Sequence, residues 1–295
     1  MTELVQQVVD GLGRGSTYAL LALGLAVVFG VLHLLNFAHG ELITICAYVV
    51  YALSLAGVPW WLLAPACIVV ATLSSMAMEA VAFRRVRNAS PFTLLLTSFG
   101  VAILIQGFFQ IVVSPKPRKY DKPSWVFDTW TIGSIRLEVA DVLTIAVTLV
   151  VLAILLYLMR RTMFGIALRG AATDFDATRM MGLRANRAVS GAFALSGALA
   201  GVAAALILMR RGDASPSMGT DYVLKAIVAA IIGGLGSMAG AVVGGLVLGL
   251  AEVAFRAWLP DSITGLTDGF VFGAIAVLLV LRPNGIFDVR TAERV

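Results

Sequence analysis

Residues 160–187 read RRTMFGIALRGAATDFDATRMMGLRANR, and the reading of this polar stretch decides the fold. It carries Arg160, Arg161, Arg169, Asp174, Asp176, Arg179, Arg184 and Arg187, and apolar runs too long for ordinary soluble helices lie on both sides. Within it, Ile166, Leu168, Ala171, Ala172, Phe175, Ala177, Thr178 and Met181 mostly recur at three- and four-residue spacings, which predicts a short helix. Gly182 suits the left-handed position just past such a helix. A short amphipathic helix with basic flanks, held between two spans, can lie in the membrane interface. It can equally be the part of a membrane protein that a soluble partner grips, or a solvated connector between spans.

Outward from that stretch the chain is overwhelmingly apolar. Of 295 residues, 60% are hydrophobic and only 13% charged, where soluble domains carry roughly 25% charged residues. Several runs reach the roughly 20 residues with few or no charges that cross hydrocarbon as a helix. The expected fold is therefore all-α: a polytopic transmembrane helical bundle, one domain over 1–295. No polar segment exceeds the 28 residues of 160–187, too few to build a separate core. The net charge of +5 does not point to nucleic acid. Twelve of the 22 Lys and Arg fall in 84–87, 160–187 and 282–294, which the alternation of spans puts on one side. Short basic loops mark the cytoplasmic side. Lys116, Arg118, Lys119 and Lys122 fall in the opposite loop and weaken that bias. Cys46 and Cys67 sit in apolar surroundings and read as small core residues rather than a disulfide. Glu3 and Asp10 stand where a cleavable signal peptide would have a basic n-region, so none is expected.

Residues 1–13 alternate in a helix-like way, which suggests an interfacial helix before the first span. Spans are expected near 16–35, 42–57, 61–83, 91–113, 139–159, 188–208, 238–258 and 262–281. A shortened apolar piece at 220–232 makes the count eight or nine. With nine, the N-terminus is outside and the C-terminus inside. Gly191, Ser196, Gly197, Ala200, Gly201 and Ala204 bring small residues to four-residue spacing, which lets helices approach closely in lipid.

Two places interrupt apolar helix: Asn36–Glu41 and Gly233–Ser237. Unwound backbone in a bilayer survives only where protein or water satisfies its N–H and C=O groups. Paired interruptions in two halves point to a transport path; tight packing is the alternative. The candidate pathway residues are Asn36, His39, Gly40, Glu41, Gly233, Gly234, Gly236 and Ser237. Ionisable groups in apolar runs are functional candidates by default, here Glu41, Glu79, Glu252 and Asp268. Glu79 lies five residues before Arg84 and reads as interfacial; Glu252 and Arg256 at i+4 read as a structural ion pair. His39 has no second ligand at useful spacing, so no metal is expected. No charged side chain is evidently placed to read the carboxylate or amine of a substrate.

Four motifs carry a resemblance. Gly165-x3-Arg169-x4-Asp174, with Ala177 and then Met181-Gly182-Leu183, resembles the cytoplasmic coupling loop of ABC importer permeases of the branched-chain amino acid (LivH/LivM) family. The runs LNFAHGE at 35–41, GGLGSMAGAVVGG at 233–245 and RPNGIF at 282–287 resemble further signatures of that family, in the same order. The resemblance implies an import permease in the bacterial inner membrane, with a LivM-like second permease, two cytoplasmic ATPase subunits and an extracytoplasmic binding protein as partners. It implies leucine, isoleucine and valine as substrates, although relatives handle other amino acids, amides or urea. It also makes Gly165, Arg169, Asp174, Phe175, Asp176, Arg179, Met181 and Gly182 the coupling residues: Phe175 and Met181 filling an apolar groove on the ATPase, the charged ones fixing register. The chain has no Gly-x4-Gly-Lys-Ser/Thr phosphate loop, so no cofactor is expected in it; ATP and Mg belong to the ATPase. Two rivals remain. An ion-coupled secondary transporter also uses broken helices and would need Glu41 or Glu252 as its coupling carboxylate. A subunit of an electron-transfer complex would need clustered His or Cys ligands that the sequence lacks.

Overall fold

A computed structural model describes residues 2–87, 89–132, 135–182, 184–260, 264–281 and Ile286, without the side chains of Thr2, Ile132, Ile135, Phe175, Asp176, Ala185, Thr264, Leu278, Leu279 and Leu281. Apart from Ile286, the motif at 282–287 lies outside the described residues. With so few polar side chains, the backbone groups have to bond one another, and helices are the economical solution. They are α1 (Thr2–Leu32), α2 (Glu41–Leu55), α3 (Trp60–Met78), α4 (Pro91–Val112), α5 (Val139–Arg161), α6 (Met163–Thr173), α7 (Phe175–Met180), α8 (Ala185–Arg211), α9 (Met218–Gly233), α10 (Met238–Trp258) and α11 (Thr267–Leu281). A π-turn, Glu79–Phe83, carries α3 on to Arg84–Val86.

Among the described residues, seven helices are long and apolar enough to cross a membrane: Glu3–Leu32, Phe37–Leu55, Trp60–Val86, Pro91–Val112, Val139–Arg161, Asn186–Arg211 and Met238–Trp258. Of the two further segments expected to cross, α11 contains a shorter apolar helix, Thr267–Val277, and the other is α9. The 16 residues of α9 reach only about 24 Å, less than the roughly 30 Å of hydrocarbon. Of the expected interfacial segment 1–13, the described residues 2–13 form no separate helix. They are the first turns of the 31-residue α1, because Gly11 and Gly15 keep that helix in contact with Leu250 and Leu246 of α10. The segment 163–180 is two helices rather than one.

α1 and α8 form the centre, each with 78% of its most apolar window buried, while α4 and α5, at 17% and 22%, lie at the periphery. α1 packs on α10, α8, α9 and α5, and α3 lies along α8. The α1–α10 seam is backbone against backbone: Gly249 lies on Gly15, and Gly245 on Ala19. Small residues at four-residue spacing permit that approach. The α3–α8 seam uses the same device, with Gly197 on Ala71 and Ser75 and Gly201 on Cys67 and Ile68. Cys46 and Cys67 are buried free thiols, and the Cys46 Sγ donates to the Cys67 carbonyl at 3.4 Å.

The bundle has two distinct ends. At one, Arg87 donates to Asn186 Oδ1 at 2.8 Å, beside α6 and α7. At the other, Gln6 donates to the Arg136 carbonyl at 2.8 Å and Trp60 Nε1 to that of Asp121 at 3.3 Å. Two small antiparallel sheets cover this second end. β1 (Arg118–Lys119) pairs with β4 (Asp213–Ala214), and β2 (Thr129–Ile132) with β3 (Ile135–Glu138).

A Cβ on Gly249 would overlap the Gly15 backbone, whereas one on Gly100 would meet nothing within 4 Å. Gly249→Ala is therefore expected to destabilise the fold by about 1–3 kcal/mol, the usual cost of overpacking. Thermal unfolding in detergent should show a lower midpoint for Gly249→Ala than for Gly100→Ala.

Candidate functional site

The projecting helix pair is built from local capping. Thr162, extended at φ −114°, separates α5 from α6, and its Oγ1 accepts from the Gly165 N–H at 3.2 Å. Gly165 is buried so closely on the Leu158 and Met159 carbonyls that a side chain would not fit. The Arg169 guanidinium donates back to the Met159 carbonyl. At Asp174 the chain turns extended, with φ −152°. Its N–H closes α6 on the Gly170 carbonyl at 2.9 Å, and its Oδ1 accepts from the Ala177 N–H at 3.0 Å, starting α7. That is why the expected single helix breaks: a side chain able to cap a new helix interrupts the old one. Gly182 takes the expected left-handed position, with φ +80°.

One face of the pair is fixed to the bundle. Leu168 and Ala171 are buried, and Phe164 lies on Gly191 of α8. Met163, Ile166, Met180 and Met181 are exposed around the pair, the last two at 86% and 80%, as are Arg169 and Arg179.

The two breaks lie at opposite ends of α9. At the first, Asn36 Oδ1 accepts from the Ala38 N–H at 3.1 Å, and the Phe37 N–H donates to Ser98 Oγ of α4 at 3.3 Å. His39 is buried with Nδ1 3.2 Å from Ser196 Oγ of α8. Gly40 rests on Gly219, near the start of α9. Glu41, fully buried, accepts from Gln106 Nε2 at 2.7 Å and Thr220 Oγ1 at 3.4 Å. At the second break, Gly234 and Gly236 have φ of +100° and +89°, a region that only glycine enters at little cost. Ser237 Oγ accepts from the Gly240 N–H at 2.9 Å and begins α10. A Cβ at Gly236 would reach only Phe29, near the end of α1, at ordinary van der Waals distance. Some 14 residues of α9, about 21 Å, separate Gly219 from Gly233, so the structure strings the breaks along one helix rather than joining them.

The remaining carboxylates have specific partners. Glu79, in the π-turn, is buried and bonded by Arg84 at 2.8 Å, Arg87 at 2.7 Å and Ser190 at 3.1 Å. It fastens the end of α3 to α8. Glu252 is more than half of an i+4 pair. Tyr18 Oη donates to it at 2.6 Å, Arg14 at 3.1 Å, Lys225 at 3.0 Å and Arg256 at 3.0 Å, and Lys225 also meets Asp268 at 3.2 Å. These groups line a cavity of about 450 Å³ at the end opposite α6 and α7, together with Arg210, Arg211 and Asp221. Arg14, Lys225 and Arg256 are isolated in sequence, and only the packing of α1, α9 and α10 brings them together. The available signal was basic residues within apolar helices, as costly there as acidic ones. Among the described residues no group of three or more His, Cys, Asp or Glu is arranged to hold a metal ion.

The apolar helices define a polytopic helical membrane protein. The chain belongs to the family of permease components of branched-chain amino acid transport systems, whose model matches residues 7–280. It is 32% identical to the high-affinity branched-chain amino acid permease protein BraD of Pseudomonas aeruginosa, over 99% of this chain and 98% of the relative. It is 32% identical to LivH of Escherichia coli, over 99% and 97%. A probable LivH of Methanocaldococcus jannaschii is 29% identical over 92% and 88%. The protein is thus a transport permease subunit, multi-pass in the inner membrane.

Asp174→Ala removes the cap that starts α7, a loss of about 1 kcal/mol, or roughly fivefold in a local opening equilibrium. Hydrogen exchange should quicken by about that factor in amides of 175–180 and stay unchanged in α8.

Proposed function

We propose that this chain is one of two permease subunits of an ATP-driven importer and forms half of the path for branched-chain or related small amino acids. A second, LivM-like permease completes the path, two cytoplasmic ATPase subunits drive it, and an extracytoplasmic binding protein delivers the substrate. The names of the full-length relatives support the substrate class.

The observation that carries the driven part of this reading is the set of exposed apolar side chains Met163, Ile166, Met180 and Met181 around a helix pair that is packed into the bundle through Phe164, Leu168 and Ala171. Exposed apolar side chains of this kind suit an apolar groove on a soluble partner. A displacement there passes into the bundle without slack. Phe164 presses on Gly191 of α8, and five residues further along α8, Ser196 touches His39 at the first break. The helix pair thus connects through one rigid helix to the place where backbone is unwound. Nucleotide and Mg stay with the ATPase subunits, and this chain contributes surface and mechanical continuity.

The gradient-driven rival needs a carboxylate that exchanges its ion. Glu252 is held by three cations and a phenol, and Glu41 by an amide and a hydroxyl.

Met181→Asp should leave the protein inserted and folded, because that side chain is 80% exposed. Substrate-stimulated ATP hydrolysis in the reconstituted transporter should fall about tenfold, the loss typical of an interface anchor. Unchanged stimulation would overturn the proposal, as would uptake that follows an ion gradient with no ATPase present.

A further inference from the structure

The cavity around Glu252 has a charge arrangement that ion pairing within the protein leaves incomplete. Arg14, Lys225 and Arg256 face Glu252 and Asp268, three cations against two carboxylates. All three cations converge on the one buried carboxylate of Glu252, and only Lys225 meets a second carboxylate. Arg210 and Arg211 are engaged elsewhere, with Glu138, Asp141 and Asp213. On the same wall, Asp221 makes no hydrogen bond or ion pair among the described residues, although it lines the cavity. Asp221 and Lys225 stand at i and i+4 on α9, about 6 Å apart along one helix face. That spacing normally produces a pair, yet Lys225 turns to Glu252, Asp268 and the ring of Tyr18. The site therefore presents cations that share one buried carboxylate and, on the same helix face as Lys225, an exposed carboxylate with no ion pair among the described residues. Leu206 and Ile207 give the same cavity an apolar wall. Its volume of about 450 Å³ falls within the roughly 300–1,000 Å³ of small-molecule sites.

We propose that this cavity is a binding site for the zwitterionic head of an α-amino acid, its carboxylate held by Lys225, Arg14 and Arg256, its ammonium by Asp221, and its side chain against Leu206 and Ile207. This rests on the amino-acid importer reading and gives the permease a recognition site of its own. The site lies at the bundle end opposite the helix pair, which is the receiving end if that pair faces the cytoplasm. Glu252 acts as a positioning residue, holding three cations so that their remaining donors face the cavity.

The test is equilibrium binding of radiolabelled L-leucine to the assembled transporter in nanodiscs, without binding protein. L-leucinamide, which lacks the carboxylate, and isocaproate, which lacks the ammonium, serve as competitors. Both should compete at least about tenfold more weakly than L-leucine, since each forfeits a charge-assisted contact. Asp221→Asn should weaken L-leucine about tenfold and leave isocaproate unchanged, whereas Arg256→Gln should weaken both. The assignment is overturned if no α-amino acid in a panel binds saturably, or if Asp221→Asn keeps the parent affinity for L-leucine. An anion site without amino-acid specificity, such as one for a lipid headgroup, would bind isocaproate as tightly as L-leucine and would equally overturn it. The two proposals fail separately. Unaltered binding in Asp221→Asn alongside loss of ATPase stimulation in Met181→Asp removes the cavity assignment and keeps the importer. The reverse pattern removes the importer and keeps the amino-acid site.

Discussion

The backbone contact between α1 and α10 sets the geometry of everything around it. Gly15 on Gly249 and Ala19 on Gly245 fix the mutual height of the two helices to within a residue. In hydrocarbon, where apolar side chains gain little by leaving lipid, such close contact is the main source of helix association. The register then decides what meets at each end. At one end Arg14 and Tyr18 of α1 come level with Glu252. At the other, Phe29 comes level with Gly236. Cavity and second break are thus set by one seam of small residues in which no chemistry resides.

α8 plays the complementary part. Its first turns receive the helix pair through Phe164 and the α3 end through Glu79 and Ser190. Its middle carries Ser196 to His39, and its last residues reach the cavity as Arg210 and Arg211. A single 27-residue helix therefore touches the helix pair, the first break and the charged cavity. Glu79 makes this attachment stiff. A carboxylate bonded by two arginines and a hydroxyl is costly to separate from any one of them, and the π-turn is the local irregularity that aims it inward.

Much of this was legible in the sequence. Length and charge distribution were enough for the bundle, because a bilayer leaves few alternatives. The breaks were legible because Asn36 and the glycines of 233–236 have no place inside an apolar helix. Gly182 was legible for the same stereochemical reason. Other features depended on tertiary partners. Residues 1–13 looked amphipathic, but Gly11 and Gly15 acquire meaning only against Leu250 and Leu246. Asp174 was recognised as a polar contact residue, and its role as a cap between two helices depends on a side-chain angle. The charged cavity was the least visible of all, since Arg14, Lys225 and Arg256 are scattered over some 240 positions. The carboxylates drew the weighing of cost at membrane depth, and the same weighing applied to the bases would have singled these three out.

α9 is too short to cross the hydrocarbon, and glycines mark both of its margins. Near its start Gly219 lies on Gly40, midway Lys225 reaches into the charged cavity, and at its finish Gly233 lies against Gly240. A rod of this length is stiff on the scale of these contacts. No tilt of it can alter one of the three alone, so what the cavity holds and how tightly the two unwound segments are clasped are mechanically a single variable.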